Sequence, residues 1–243
     1  MKKVLLFLYE LFIFAPIFTL ATIITAVTVM IGCLVGKRKF WGYYPPHYWS
    51  KLACRLSLCR INVIRHAELD PNKSYVFIPN HQGAFDIFLI YGYLNQNIKW
   101  VQKQELRKIP FVGKASEIAG HVFVDQSSLK SMKETITKAE SQLGEGSSMV
   151  IFPEGSRTKT GKMGRFKRGA YIIAKEMNLE IVPVTVNGPF DLMKIGTYLL
   201  NPCKLELVVH KPISTENLTE DNMQDFINNT RDIVHSGLWE KYK

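Results

Sequence analysis

Cysteine is scarce in this sequence: Cys33, Cys54, Cys59 and Cys203 are the only four among 243 residues. They form no CxxC pair and no metal-ligand spacing, and Cys54 and Cys59, five apart, do not give a zinc geometry on a helix. A bound metal is not expected, and the thiols read as buried or half-buried groups of a reducing compartment. Acid is also short. Asp plus Glu number 21 against 31 Lys plus Arg, a formal charge of +10. Such an excess favours anions: nucleic acid, membrane headgroups or phosphorylated small molecules. No self-similar period is visible, which excludes solenoids and propellers. Core-forming residues are not lacking. At 47% apolar and 21% charged, the chain is no disordered tail.

The positive charge is local. Residues 99–114 hold Lys99, Lys103, Arg107, Lys108 and Lys114 against Glu105. Residues 157–168 hold Arg157, Lys159, Lys162, Arg165, Lys167 and Arg168 with no acid. The remainder sums to zero. No nucleic-acid fingerprint accompanies either window, so nucleic acid is not an expected partner.

From Val4 to Gly36 the only charge is Glu10, and Leu11 to Gly36 is uncharged for 26 residues. That exceeds the roughly 20 residues a membrane-spanning helix needs. The run is too long for a signal-peptide core, and no A-x-A cleavage site follows it. A single span fits, as does a bent or hairpin insertion broken near Ala15-Pro16, where proline removes a backbone donor. Lysines flank both ends, so charge orients the run weakly. We read it as attachment to the cell membrane, with the rest of the chain on the cytoplasmic side. Phe40, Trp41, Tyr43 and Tyr44 then suit a headgroup interface. Residues 47–60 place Tyr48, Leu52, Leu56 and Cys59 on one helical side and Lys51, Arg55 and Arg60 on another. This fits a surface amphipathic helix or an ordinary packing helix equally well. Residues 1–60 are thus a membrane-anchoring segment, and 61–243 a second domain.

Beyond residue 60, strands at 75–78, 98–101, 121–124, 148–152, 181–186 and 204–211 alternate with helices at 81–94, 129–143, 169–178 and 222–240. The expected fold is α/β, a mixed, mostly parallel sheet flanked by helices. Pro183 demotes its strand to an edge or a bulge. In such sheets chemistry collects at the carboxyl ends of strands. After 75–78 comes Asn80-His81-Gln82-Gly83-Ala84-Phe85-Asp86. Across a strand–helix turn, Asp86 reaches the His81 imidazole, fixes its tautomer and leaves the other nitrogen free as a general base. After 148–152 comes Phe152-Pro153-Glu154-Gly155-Ser156-Arg157. Gly155 permits close backbone approach. Glu154 is either a buried-turn acid or a substrate binder, and Arg157 suits phosphate or carboxylate.

The ordered set resembles the glycerophospholipid acyltransferase family over roughly 60–215. Asn80, His81 and Asp86 match its N-H-x-x-x-x-D block. Residues 152–157 match F-P-E-G-[ST]-R, and Val182-Pro183-Val184 with Gly188 match its fourth block. Lys103-Gln104-Glu105-Leu106, Ile109-Pro110 and Gly113 match the segment before block two. One position departs: Gln126 stands where the family has an arginine assigned to the acceptor's phosphate. The resemblance implies a membrane-bound enzyme without cofactor. It would move a fatty acyl group from acyl-CoA or acyl carrier protein to the sn-2 hydroxyl of 1-acyl-glycerol-3-phosphate (lysophosphatidic acid), giving phosphatidic acid. His81 and Asp86 would be catalytic, and Lys103 and Arg157 would hold phosphate. Asn80, Phe152, Pro153, Glu154, Gly155, Ser156 and Pro183 would shape the substrate pocket. Gln126 keeps open another lysolipid acceptor, a lysophospholipid or aminoacyl-lipid precursor. A non-catalytic lipid-binding protein is the alternative of a different class.

Overall fold

The computed structural model describes residues 2–124, 137, 141, 146–194, 196–197 and 199–243. Gln126 and, apart from residues 137 and 141, the expected helix 129–143 therefore lie outside the described residues. A seven-stranded sheet runs β1 (Arg60–Arg65), β7 (Lys204–Val209), β6 (Glu180–Asn187), β2 (Tyr75–Pro79), β5 (Ser148–Val150), β3 (Ile98–Lys103), β4 (Val122–Val124). Every neighbouring pair is parallel except β6 with β7. The sheet is thus mixed and mostly parallel, as expected. The β1 strand was not anticipated. Its central Asn62 is polar, and that amide donates to Glu206 on β7 at 2.7 Å.

The β2 strand is buried throughout because both faces of the sheet are covered. Tyr75 and Phe77 join one core with Leu89 and Ile90, while Val76 and Ile78 join the other with Ile173 and Ile227. The helices supplying these residues are α3 (Phe85–Tyr93), α5 (Gly169–Glu176) and α6 (Met223–Ser236). Pro183 corrects the edge expectation, because β6 lies between β2 and β7. The bulge alternative fits instead: pairing passes from Val184↔Val209 to an Ile181↔Ile213 bridge, with one more residue on the partner side, and the Pro183 carbonyl accepts the His210 N–H at 3.0 Å.

The N-terminal run is one helix, α1 (Lys3–Val35), long and apolar enough to cross a membrane. It is not broken at Pro16. A π-turn at Glu10–Phe14 precedes the proline and absorbs the mismatch in the hydrogen-bond ladder. Glu10 is buried, and its carboxylate accepts the Leu200 N–H at 2.8 Å. The following helix, α2 (Tyr44–Leu56), buries His47, Ser50, Ala53 and Cys54, while Tyr48 is 64% exposed. Its inward stripe is therefore one of small and polar residues, with Tyr48 on the outward side. Small residues are needed because α2 approaches α3 closely; a Cβ on Gly92 would meet Lys51 at 3.3 Å. The helix ends at Leu56, so Cys59 and Arg60 are not on it.

A last helix, α4 (Val112–Ala119), joins β3 to β4 and packs through Ala115 and Ala119 onto Ala26 and Val29 of α1. Its C-terminal carbonyls are capped by cations. Arg38 donates to Ile118 O at 2.7 Å and Lys99 to Ala119 O at 2.8 Å. Burial pulls the Lys99 amine down to about 8.

Two imidazoles, half-buried His121 and buried His210, resist protonation. Burial holds His121 down at about 3 and His210 at about 4. Unfolding releases both to the ordinary value of about 6.5, so below that pH the unfolded chain binds more protons and stability falls. We expect a loss of about 1.4 kcal/mol per pH unit for each ring well below that value. Denaturant midpoints measured from pH 7 downward check this. His121→Asn, whose amide oxygen can still accept the Trp100 N–H that His121 Nδ1 takes, should remove one proton from the slope.

Candidate active site

The site is built where β2 ends. Asn80 to Ala84 form a turn before α3. His81 therefore lies in that turn and not at the helix start, because α3 begins only at Phe85. Asp86 in the first turn reaches back and organises the segment. Its Oδ2 accepts from His81 Nδ1 at 2.6 Å, Gln82 N–H at 2.7 Å and Gly83 N–H at 3.0 Å. The carboxylate is fully buried, and three donors offset its desolvation. With Nδ1–H donated to Asp86, the lone pair of His81 is on Nε2. A side chain on Gly83 would not fit, since its Cβ would stand 2.9 Å from Pro189 O.

The rest of His81 is held as firmly. Its ring stacks on Phe152 at 3.8 Å between centroids, and Phe152 stacks on Trp100 at 5.8 Å. Its N–H donates to Glu154 Oε1 at 2.7 Å, and its carbonyl accepts the Thr158 N–H at 2.9 Å. The second oxygen of Glu154 accepts the Gly164 N–H at 2.7 Å. Glu154 is thus a buried-turn acid. It ties the basic segment 157–168 to the backbone of the histidine. Burial pushes its carboxyl above the usual range, and the two backbone N–H groups pull it back.

A cleft of about 700 Å³ opens at His81. Phe88, Trp100 and Phe152 form part of its wall, and Thr22, Ala26 and Val29 of α1 form another. Lys103, Gly155, Ser156 and Arg157 also line it, with both cations exposed to solvent. Gly155 has φ 75°, and Lys167 Nζ lies 2.9 Å from where a Cβ would be. The volume falls in the range of small-ligand sites.

Of the expected pocket residues, the structure brings His81, Asp86, Phe152, Gly155, Ser156, Lys103 and Arg157 to one place. Asn80, Pro153, Glu154 and Pro183 are buried behind the wall rather than on it. Asn80 bridges β2 to β6, donating to Val186 O at 3.0 Å and accepting the Val186 N–H at 2.7 Å. Pro153 O accepts the Lys167 N–H at 2.9 Å. These residues hold the loops whose neighbours face the cleft. Sequence reasoning missed Gln82, whose Oε1 accepts the Gly188 N–H at 2.9 Å and so joins the first and fourth motif blocks. It also missed Trp100 and the α1 residues of the cleft. No local spacing signals them, because the contacts cross the whole chain.

Two substitutions test the scaffold of this site. Asp86→Asn can keep an oxygen at the Oδ2 position, with its amide nitrogen at the unpartnered Oδ1 position, but it removes the negative charge that stabilises the imidazolium. Glu154→Gln faces an amide nitrogen with the His81 or Gly164 N–H. With His81 as general base, Asp86→Asn should lower turnover by about 10²-fold or more and Glu154→Gln should lower it less, each with an unfolding midpoint that moves far less than the rate. Circular dichroism and turnover on the same preparations check this.

Comparison with known proteins agrees with the geometry. Residues 60–187 match the family model described as Acyltransferase. The chloroplastic 1-acyl-sn-glycerol-3-phosphate acyltransferase LPAT1 of Arabidopsis thaliana is 30% identical over 73% of this chain and 49% of its own. The 1-acyl-sn-glycerol-3-phosphate acyltransferase of Saccharomyces cerevisiae is 31% identical over 69% of this chain and 56% of its own. That of Helicobacter pylori is 34% identical over 55% of this chain and 56% of its own. The chain thus spans about half the length of these curated relatives. The crystal structure of the 1-acyl-sn-glycerophosphate (LPA) acyltransferase PlsC from Thermotoga maritima superposes with a TM-score of 0.81. It covers 98% of this chain and 97% of that one at 23% identity, a likeness of fold. With its model matched across more than half of the residues, this chain belongs to the Acyltransferase family.

Proposed function

We propose that this chain transfers a fatty acyl group from acyl-CoA or acyl carrier protein to the sn-2 hydroxyl of 1-acyl-glycerol-3-phosphate, giving phosphatidic acid. The observation that carries the reading is the His81 Nδ1–Asp86 Oδ2 bond of 2.6 Å at the mouth of an apolar cleft. An alcohol is too weakly acidic to attack a thioester unaided at neutral pH. His81 Nε2 takes the hydroxyl proton as the new C–O bond forms. Asp86 stabilises the imidazolium and keeps the ring oriented. The tetrahedral intermediate then collapses, the C–S bond breaks, and the departing thiolate takes the proton from His81. Transfer is direct, with no acyl-enzyme, because among the described residues no nucleophile is hydrogen-bonded to His81.

Lys103 and Arg157 flank the cleft and suit the phosphate of the acceptor. Arg157 offers a planar two-pronged contact, Lys103 a point charge. The cleft wall of Phe88, Ala26 and Val29 suits an acyl chain. α1 attaches the chain to the membrane, with the sheet domain on the cytoplasmic side, so the acceptor is drawn from the leaflet that holds the enzyme. The curated relatives carry the name of this activity, which supports the choice of acceptor over other lysolipids.

Purified protein incubated with 1-acyl-glycerol-3-phosphate and parallel CoA and carrier-protein donors should yield phosphatidic acid. No turnover of this acceptor alongside turnover of another lysolipid would contradict the proposal. His81→Ala should lose at least about 10²-fold. Arg157→Ala should raise the acceptor KM by about tenfold or more, the effect of losing a charge-assisted contact. Lys159→Ala, outside the cleft lining, should change it much less.

A further inference from the structure

One segment of the sheet domain carries exposed apolar side chains that the fold does not use. Between β3 and α4 the chain makes a 3₁₀ turn, Gln104–Lys108, and then Ile109-Pro110-Phe111. Leu106 is 37% exposed, Ile109 43% and Phe111 51%. Phe111 is held outward by its backbone. It has φ 60° and ψ −52°, and the Val112 N–H donates to Pro110 O at 2.6 Å. This is a γ-turn of the strained hand, costly for a residue with a side chain. Basic residues surround it. Arg107 and Lys114 both pair with Glu117, leaving Lys103 and Lys108 outside any described ion pair. The segment is continuous with the membrane helix, because α4, which follows directly, packs on Ala26 and Val29 of α1. It is continuous with the cleft as well, since Lys103, Leu106 and Ile109 line it.

We infer that residues 104–114 form a second membrane contact, in which Phe111 enters the apolar edge of an anionic bilayer while Lys108 meets its headgroups. The occupant is a lipid surface. Apolar side chains ringed by cations complement anionic lipid, and the neighbouring α1 already fixes the segment near the bilayer. The contact seats the rim of the cleft at headgroup depth, so an acyl chain passes from the bilayer along Leu106 and Ile109 with little exposure to water. This rests on the membrane-attached reading proposed above, yet its test needs no turnover.

The full chain is placed in vesicles of phosphatidylcholine containing a minority of phosphatidylglycerol and a phospholipid with a diazirine in its acyl chain. After irradiation, trypsin and mass spectrometry, adducts should appear on Ile109–Lys114 as well as on peptides of α1. Their yield should be about fivefold lower on purely neutral vesicles, the effect of basic residues near an anionic surface. Adducts confined to α1 would overturn the inference, and equal yields would overturn its anionic part. Phe111→Gly, which suits the positive φ, keeps the turn while removing the ring. Its turnover of a vesicle-borne acceptor should fall by about tenfold, with turnover of a short-chain acceptor in solution unchanged. An equal fall for both would assign Phe111 to the cleft and contradict the inference. If the diazirine adducts form but no acceptor is acylated, the activity fails and the membrane contact stands.

Discussion

Everything at this site depends on one carboxylate oxygen. Asp86 Oδ2 gathers the His81 ring and the backbone N–H groups of Gln82 and Gly83, and thereby dictates both the path of the loop and the tautomer of the ring. Burial makes the arrangement strict. A fully buried carboxylate without its donors is costly, so the loop cannot relax without a large penalty. Glu154 repeats the device one layer away, spending both oxygens on backbone N–H groups. Two buried acids thus convert sequence-distant loops into a single rigid floor. This accounts for motif positions that never face the cleft. Asn80 joins β2 to β6, Gln82 joins the His81 turn to Gly188, and Glu154 joins that turn to its own loop, so the first, third and fourth motif blocks are mechanically one object.

The cleft is assembled from pieces that do not fold next to each other. α1 contributes Thr22, Ala26 and Val29, although these residues belong to a run whose outer face is apolar and exposed. The same helix therefore serves as a wall of the site and, in the function proposed, as its tether. Arg38 and Lys99 secure this relation by capping α4, which lies against α1. His121 also lines the cleft, and burial holds its ring well below the ordinary value, so it adds no charge to that wall near neutral pH.

Much of the fold was legible because buried parallel strands read as continuous apolar runs. Tyr75–Pro79 and Glu180–Asn187 are of this kind, and their carboxyl ends place the reactive blocks. The β1 strand escaped because an edge strand with a polar centre lacks that signature. The start of α3 was misplaced because a side chain, Asp86, holds the turn that precedes it. Pro183 fits the bulge alternative and not the edge one, since β6 is paired with the same neighbouring segment on both sides of it. At the site, residue types were legible and partners were not. His81, Asp86 and Arg157 announce their chemistry by type and spacing. Whether Glu154 meets substrate or backbone is decided by which amides stand opposite, a long-range fact. The cleft wall on α1 was illegible for the same reason, as apolar residues suited to lipid and to protein look alike.

The central claim is that Asp86 holds His81 as the Nδ1–H tautomer with Nε2 free to take a proton. Long-range proton–nitrogen NMR of the histidine-labelled chain, at a pH where the ring is neutral, measures this directly. The His81 signals are assigned by their loss in His81→Gln. The account predicts a protonated Nδ1 and an unprotonated Nε2 in the native chain. A proton found on Nε2 would contradict it.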